Sequence, residues 1–241
     1  MNLQDLAQEC GKKGITLSQS QLNQFEKYAN LLVEWNDKMN LTAITDFSAI
    51  VEKHFFDSIQ PLLEGEICGK VCDVGAGAGF PSIPLKIVNP SLKIFLLEPI
   101  TKRCTFLNEV ISQLELSDIT VINKRSEDYV KDNRESFDVV IARAVANLSV
   151  LSELCIPLVK ENGSFVAMKA EKGLQEAEES KKAITTLGCK LEKVYEFMLN
   201  DSKRVNLIYR KIKKTPIGYP RQYAKIKKNP LWGELWKNLY Y

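Results

Sequence analysis

Three glycines at alternate positions follow an apolar run and fix the local fold of this chain. The run ends at Val74, and Gly75, Gly77 and Gly79 come directly after it. A second apolar run ends in an acid, Glu98, nineteen residues after the last glycine. The pattern predicts a strand, a tight turn, a helix and a second strand with a carboxylate at its end. Glycine suits such a turn because the backbone there needs φ > 0 or lies against a ligand, where a Cβ would collide.

Two acids and one aromatic residue indicate which ligand the turn suits. The carboxylate of Glu98 can accept hydrogen bonds from both hydroxyls of a ribose, so we expect a cofactor that carries a nucleoside. A dinucleotide-binding turn would have its third glycine at position 80, where this chain has Phe80. Asp73 precedes the glycines, and a carboxylate there disfavours a pyrophosphate. S-adenosylmethionine has no phosphate, and its ammonium suits Asp73, so this cofactor is predicted.

The pattern D-x-G-x-G-x-G, followed by a strand that ends in an acid, resembles the first two motifs of the class I methyltransferases. The resemblance implies an α/β, Rossmann-like sheet of seven mostly parallel strands, with strand seven antiparallel between strands five and six. Strand and helix patterns that alternate from residue 70 onward support this fold. The predicted strands lie near 70–74, 93–97, 119–123, 137–142, 163–169, 190–197 and 204–212. The predicted helices lie near 82–89, 101–115, 147–161 and 171–187.

The first 66 residues follow a helical pattern. Ser18 and Gln21 match a capping box, and apolar residues then repeat at helical spacing as far as Trp35. Asp46 is a candidate cap for a further helix, which is expected to end before Pro61. The expected domains are an N-terminal helical cap over 1–66, a cofactor-binding methyltransferase domain over 67–214, and a basic, aromatic C-terminal extension over 215–241 packed on the same domain.

Composition indicates a globular protein of the cytoplasm. Apolar residues make up 45% of the chain, but no apolar run approaches the ~20 residues of a membrane span. The N-terminus lacks the basic and apolar regions of a signal peptide. The six cysteines are scattered and there is one histidine, so we expect reduced thiols and no metal site. We expect a monomer that does not associate with membranes.

Charge is distributed unevenly along the chain. Residues 202–241 contain eleven Lys or Arg and a single Glu, whereas the preceding residues carry a net charge of −7. A basic end on an acidic body is typical of proteins that bind a polyanion. The aromatic side chains of Tyr209, Tyr219 and Tyr223 lie among the cations and could stack on unpaired bases. Trp232 and Trp236 are interpreted as packing residues.

Ligands of open parallel sheets bind beyond the carboxyl ends of the strands. At the end of the third predicted strand, Ser126 and Glu127 are candidates to meet the edge of an adenine. At the end of the fourth, Arg143 is a candidate to orient the cofactor, a base or a phosphate through its planar guanidinium. An alternative for Arg143 is a salt bridge to Asp138 or Glu127.

The strand ends offer neither a nucleophile nor an obvious general base. The [DNS]-P-P-[YFW] motif of enzymes that methylate exocyclic amines is absent, and Cys155 lacks the Pro-Cys context of pyrimidine C5 methyltransferases. We therefore interpret Cys155 as a core thiol. Guanine N7 has a free lone pair and no proton, so its methylation requires alignment and desolvation without deprotonation.

Seven segments together are similar to the ribosomal small-subunit methyltransferase G family, also called glucose-inhibited division protein B. The resemblance covers nearly the whole chain and implies an enzyme that uses S-adenosylmethionine to methylate N7 of one guanine in bacterial 16S ribosomal RNA. By matching position, it implies cofactor contacts at Gly75, Phe80, Ser126, Glu127 and Arg143. The matching segments are Trp35-Asn36, Asn40-Leu41-Thr42, His54-Phe55-Phe56-Asp57-Ser58, Asp73 to Pro81, Lys102-Arg103, Arg143-Ala144 and Met168-Lys169.

Two other functions stay open from the residues alone. The first is a methyltransferase that acts on a small molecule, and the second is a non-catalytic RNA-binding module. His54 and Asp57 lie one helical turn apart and also have two interpretations. They either face the cofactor or the target base, or they fix the N-terminal helices onto the sheet.

Overall fold

The structure, a computed structural model, describes residues 1–231, and these contain seven strands that form one sheet. The strands are β1 (Lys70–Val74), β2 (Lys93–Leu97), β3 (Ile119–Ile122), β4 (Phe137–Arg143), β5 (Val159–Ala170), β6 (Cys189–Leu199) and β7 (Ser202–Lys211). Their order is β3-β2-β1-β4-β5-β7-β6. The β2–β3, β1–β4 and β4–β5 pairs are parallel, and β7 is antiparallel to both β5 and β6. The predicted sheet, including the place of the seventh strand, is therefore confirmed.

The helices of the described residues follow the predicted positions with some differences. They are α1 (Leu3–Lys12), α2 (Gln19–Met39), α3 (Phe47–Ile50), α4 (Asp57–Leu63), α5 (Ser82–Val88), α6 (Thr101–Gln113), α7 (Ser126–Asn133), α8 (Leu148–Cys155), α9 (Gly173–Glu179), α10 (Lys181–Thr186) and α11 (Tyr223–Lys228). A π-helical segment, Val51–Phe56, joins α3 to α4, and a short 3₁₀ turn, Ile156–Leu158, follows α8. Among residues 1–231, no helix combines the length and apolar character that crossing a bilayer requires.

Several predicted helix boundaries were wrong. The helix expected over 147–161 ends at Cys155, because Pro157 has no N–H group to continue the hydrogen-bond ladder. The helix expected over 171–187 is divided at Ser180. The helix expected to end before Pro61 instead continues to Leu63, and the N–H group of Glu64 still bonds to the Gln60 carbonyl. Helices α7 and α11 were not predicted.

The chain forms two compact units, of which the first contains residues 1–69 and 75–123. The capping box of Ser18 and Gln21 is present at the start of α2, as predicted. The predicted apolar stripe is also confirmed, since Phe25, Tyr28 and Leu32 are fully buried. The side chain of Gln21 also donates to the carbonyls of Ile87 and Val88 at the end of α5. Thus α2 is fixed along its length within this unit.

The second unit contains residues 70–74 and the chain from Lys124 onward. It shows that part of the basic end is internal. Tyr209 is 2% exposed and stacks on Phe165, so the expectation that Tyr209 meets unpaired bases was wrong. Lys211 is fully buried, and its ammonium contacts the Ile156 carbonyl, the Thr215 hydroxyl and Glu135. Trp232 and Trp236 lie outside the described residues.

Candidate functional site

The glycine turn in the first unit has the backbone conformation that the sequence predicts. Gly75, Gly77 and Gly79 have φ angles of +78°, +59° and +95°. The N–H groups of Gly75 and Ala76 both donate to the carbonyl of Leu97, at N···O distances of 2.8 and 3.1 Å. These two bonds tie the start of the turn to the last residue of β2, directly before Glu98.

The turn is braced by a tyrosine that sequence reasoning treated only as a packing residue. The hydroxyl of Tyr28, on α2, donates to the carbonyl of Ala78 at 2.5 Å. A Cβ on Gly79 would lie 2.8 Å from that hydroxyl oxygen and 2.4 Å from Cδ1 of Ile83. A signal was available in the sequence, because a buried tyrosine in an apolar stripe normally needs a hydrogen-bond partner. Tyr28 therefore helps to set the shape of the turn.

Glu98 is brought to the turn as predicted. The side chain is 1% exposed, and its two oxygens each accept a backbone N–H group at 2.9 Å, one from Gly77 and one from Ile100. The guanidinium of Arg103 lies 3.9 Å from the oxygen that Gly77 contacts. A carboxylate oxygen can accept more than one hydrogen bond, so Glu98 is held in place and can still accept from ribose hydroxyls.

Space at the turn fits a ligand that approaches the backbone. A Cβ built on Gly77 would meet only one atom within 4 Å, the carbonyl oxygen of Gly75 at 3.9 Å. Gly77 thus adopts a left-handed conformation beside open space. At Gly79, in contrast, the neighbouring core side chains leave no room for a Cβ. The open backbone at Gly77 and the fixed carboxylate of Glu98 together fit a nucleoside cofactor.

Phe80, the residue after the glycines, is held by an aromatic contact and a chain of hydrogen bonds. The ring of His54 stacks on the ring of Phe80, with centroids 4.4 Å apart and planes inclined by 20°. Nε2 of His54 bonds to the hydroxyl of Thr42 at 2.9 Å. The side-chain oxygen of Asn36 accepts from the Thr42 N–H group at 2.8 Å. These contacts connect the end of α2 to Phe80.

His54 of the N-terminal helical segment packs on the residue after the glycines, and both interpretations of its function stay predictions. The residue contacts a predicted cofactor-binding side chain, so its effect on the ligand would be transmitted through Phe80. Asp57, its predicted companion, is 5% exposed within α4.

Replacing His54 tests whether the stacked pair supports cofactor binding. We expect His54→Ala to raise the dissociation constant for S-adenosylmethionine by about 2- to 10-fold, because Phe80 would lose a ring contact worth roughly 0.5–1.5 kcal/mol and would have to be ordered when the cofactor binds. His54→Phe should recover part of the loss, since it keeps the ring and removes only the bond to Thr42. Calorimetric titration measures both variants. Equal affinity in the wild type and His54→Ala would show that the stack has no part in binding.

In the second unit, Asp73 is fully buried in β1 and is paired in register with Ile141 of β4. Burial raises the pKa of the Cys155 thiol well above its ordinary value, and the charge of Asp73 raises it further. Cys155 is thus a protonated core thiol, as interpreted from the sequence, and a poor nucleophile. Asp73 thus lies in the interior near the end of the first strand.

The predicted adenine-binding residues begin α7. Ser126 is buried, and its hydroxyl donates to the carbonyl of Leu154 at 2.5 Å. Any contact of Ser126 with a cofactor would therefore use its backbone or the remaining lone pairs of its oxygen. Glu127 lies in the first turn of the helix and is half-buried. Their role in binding stays a prediction.

Arg143 is the last residue of β4, and the loop after it is held by an ion pair that sequence reasoning missed. Nζ of Lys169, on β5, donates to the carbonyl of Ala146 at 2.7 Å and lies 2.8 Å from the carboxylate of Glu176. The same carboxylate accepts the N–H group of Leu148 at 2.8 Å. Lys169 and Glu176 therefore fix the course of the chain that follows Arg143.

Asp138, one of the two predicted salt-bridge partners of Arg143, contacts other groups in the structure. Asp138 pairs with the ammonium of Lys160 and accepts the backbone N–H group of Lys70 at 2.7 Å. These contacts lower the pKa of Asp138 against the opposing effect of burial. The alternative of a salt bridge from Arg143 to Asp138 or Glu127 stays a prediction.

Comparison with known proteins gives consistent results over nearly the whole chain. A model of the family described as rRNA small subunit methyltransferase G matches residues 21–208. The chain is 50% identical over 237 residues to the Ribosomal RNA small subunit methyltransferase G of Lysinibacillus sphaericus (strain C3-41), covering 96% of this chain and 100% of that protein. It is 48% identical over 239 residues to the protein of the same name from Bacillus subtilis (strain 168), covering 97% and 100%.

A solved structure also supports the fold. A SAM-dependent methyltransferase from Aquifex aeolicus superposes with a TM-score of 0.53 at 16% identity, covering 68% of this chain and 93% of that chain. The prediction of a class I methyltransferase fold is confirmed by this superposition. The prediction of S-adenosylmethionine as cofactor is confirmed by the family assignment. The protein is therefore a member of the rRNA small subunit methyltransferase G family, as its motifs indicated.

Proposed function

We propose that this protein transfers the methyl group of S-adenosylmethionine to N7 of one guanine in bacterial 16S ribosomal RNA. The observation that carries the proposal is the glycine turn whose Gly77 N–H group is bonded to the buried carboxylate of Glu98. This arrangement has the carboxylate acceptor and the open backbone that suit a nucleoside cofactor. Membership of a ribosomal RNA methyltransferase family supports the choice of substrate.

We assign the cofactor contacts to the residues that the sequence singled out. Gly75, Gly77 and Gly79 would let the methionine end approach the backbone, and Asp73 would face its ammonium. Glu98 would accept the ribose hydroxyls. When bound, the cofactor supplies an electrophilic methyl group on a sulfonium. The remaining contacts would come from Phe80, Ser126, Glu127 and Arg143.

The proposed chemistry relies on orientation. N7 of guanine needs no base to remove a proton, and holding two reactants in line can lower the barrier by roughly 7–11 kcal/mol. Arg143 would orient the base or the cofactor, with its loop fixed by Lys169 and Glu176. The buried, protonated thiol of Cys155 supports a direct transfer without a covalent enzyme intermediate.

We further propose that the enzyme acts as a cytoplasmic monomer on 16S ribosomal RNA, either naked or within the assembling small subunit. The division into a helical cap over 1–66, a methyltransferase domain over 67–214 and an extension over 215–241 also stays a proposal. A methyltransferase of small molecules would show no salt-dependent affinity for RNA. A non-catalytic module would have no need of a turn bonded to a buried acid.

Transfer to undermethylated ribosomal RNA tests the proposal directly. The protein is incubated with tritiated S-adenosylmethionine and either naked 16S ribosomal RNA or small subunits from a strain that lacks the modification. We expect label in one nucleoside, identified as 7-methylguanosine by mass spectrometry. Label in another nucleoside would correct the site of attack, and absence of label in both substrates would overturn the proposed activity.

A further inference from the structure

The basic end of the chain divides into cations that hold the fold and cations that face outward. Arg221 belongs to the first group, because its guanidinium and backbone N–H group bond to the fully buried carboxylate of Glu153 at 2.6–2.8 Å. Lys211 also belongs there, as described above. Lys225 and Lys228 belong to the second group, since both are exposed on α11. Positive charge alone therefore does not identify the surface that meets a partner.

The extension that carries α11 is fixed to the second unit by specific bonds. The guanidinium of Arg134 donates to the carbonyls of Thr215, Pro216 and Tyr219 at 2.7–2.9 Å. Ile226 of α11 is fully buried. The ion pair of Arg221 with Glu153 anchors the chain just before the helix. Lys225 and Lys228 are thus presented from a defined position.

A second segment brings a further cation to the same helix. The guanidinium of Arg125, an exposed residue, lies over the ring of Tyr223, the first residue of α11, at 5.4 Å from its centroid. A concavity of about 410 Å³ beside the helix is lined by Arg221, Lys225, Lys228 and Asn229. We call Arg125, Lys225 and Lys228 the α11 cluster.

We propose that the α11 cluster binds backbone phosphates of the substrate RNA. This inference rests on the proposed function and names the surface through which the enzyme holds its substrate. The cations come from two segments, and Lys225 and Lys228 line a concave surface whose lining side chains are all charged or polar, which suits a phosphate group better than an apolar partner. Arg125 lies over the Tyr223 ring, so this cation is held against α11. Ammonium and guanidinium groups in this arrangement neutralise phosphates and release counterions.

Charge reversal within the cluster tests the proposal. For Lys225→Glu with Lys228→Glu we expect at least a 10-fold loss of affinity for undermethylated 16S ribosomal RNA in filter binding at moderate salt. The slope of log affinity against log salt should also fall, by about 0.7–0.9 for each phosphate that the protein no longer neutralises. Affinity for S-adenosylmethionine, measured by calorimetry, should be unchanged.

The matched control is Lys12→Glu with Lys13→Glu, which makes the same change in net charge at exposed residues of the first unit. Retained affinity and slope in this control would support the α11 cluster, and an equal loss would overturn it. If thermal denaturation shows that the double Glu variant is unfolded, the dependence of RNA affinity on salt is measured instead for the neutral double variant, Lys225→Gln with Lys228→Gln. Wild-type slope in a folded variant would overturn the inference, whereas a wild type that does not methylate RNA at all would overturn the proposed function instead.

Discussion

Gly79→Ala is expected to lower the melting temperature by roughly 5–15 °C, whereas Gly77→Ala should keep the fold and lose the cofactor. At Gly79 the added Cβ would collide with Ile83 and Tyr28, both fully buried, and the backbone φ is +95°. Overpacking costs about 1–3 kcal/mol and a left-handed backbone about 1–2 kcal/mol more, and each kcal/mol shifts the melting temperature of a protein of this size by about 2–4 °C.

At Gly77 the same substitution meets open space, with the nearest atom 3.9 Å away. We expect a stability cost of about 1–2 kcal/mol from the left-handed φ alone. The new methyl group would occupy the space that we assign to the cofactor, so binding should weaken by at least 10-fold. Thermal denaturation and calorimetric titration of both variants separate the two effects. Equal losses of stability in Gly77→Ala and Gly79→Ala would contradict the conclusion that Gly79 is packed against the core and Gly77 faces open space.

Glu98→Gln is expected to raise the dissociation constant for S-adenosylmethionine by about 5- to 150-fold. The carboxylate accepts one backbone N–H group on each oxygen, from Gly77 and Ile100. An amide has one oxygen, so one of these donors would lose its acceptor, which lowers the stability of the turn whether or not the cofactor is bound. Binding itself weakens because the ribose hydroxyls lose a charged acceptor, at a cost of about 1–3 kcal/mol.

Calorimetric titration measures this change, and Glu26→Gln, at an exposed position of α2, is the matched control. Measurement of kcat and KM for methyl transfer adds a second readout, in which KM for the cofactor should rise more than kcat falls. A dissociation constant within about twofold of the wild type would remove Glu98 from the ribose role, since a lost hydrogen bond to a charged group costs more than that.

The sheet could be predicted from sequence because its strands have strong local patterns. β1 and β2 are short apolar runs bounded by glycines or acids, and the structure places both at the predicted residues. The turn and Glu98 were predictable for the same reason, since each follows directly from a strand end. Helix α7 was missed because only Ser126, Tyr129 and Val130 of its eight residues are buried, which leaves too little apolar periodicity to detect.

The bracing of the site could not be predicted, because it depends on contacts between distant parts of the chain. Neither the bond from Tyr28 to Ala78 nor the ion pair of Lys169 with Glu176 leaves a periodic pattern in the sequence. Which cations of the basic end are buried and which are exposed could not be predicted for the same reason. In the sequence Lys211 is one more cation among its neighbours, and only tertiary packing shows that its ammonium is enclosed.

The hydrogen bond from Tyr28 to Ala78 also connects the N-terminal helices to the proposed cofactor site. A shortened protein that starts after Leu63 would retain every residue of the methyl-donor motif but would lack both the phenol and the imidazole that hold it. The N-terminal segment therefore supports the glycine turn directly, and replacing it with an unrelated recognition module would remove these contacts from the turn.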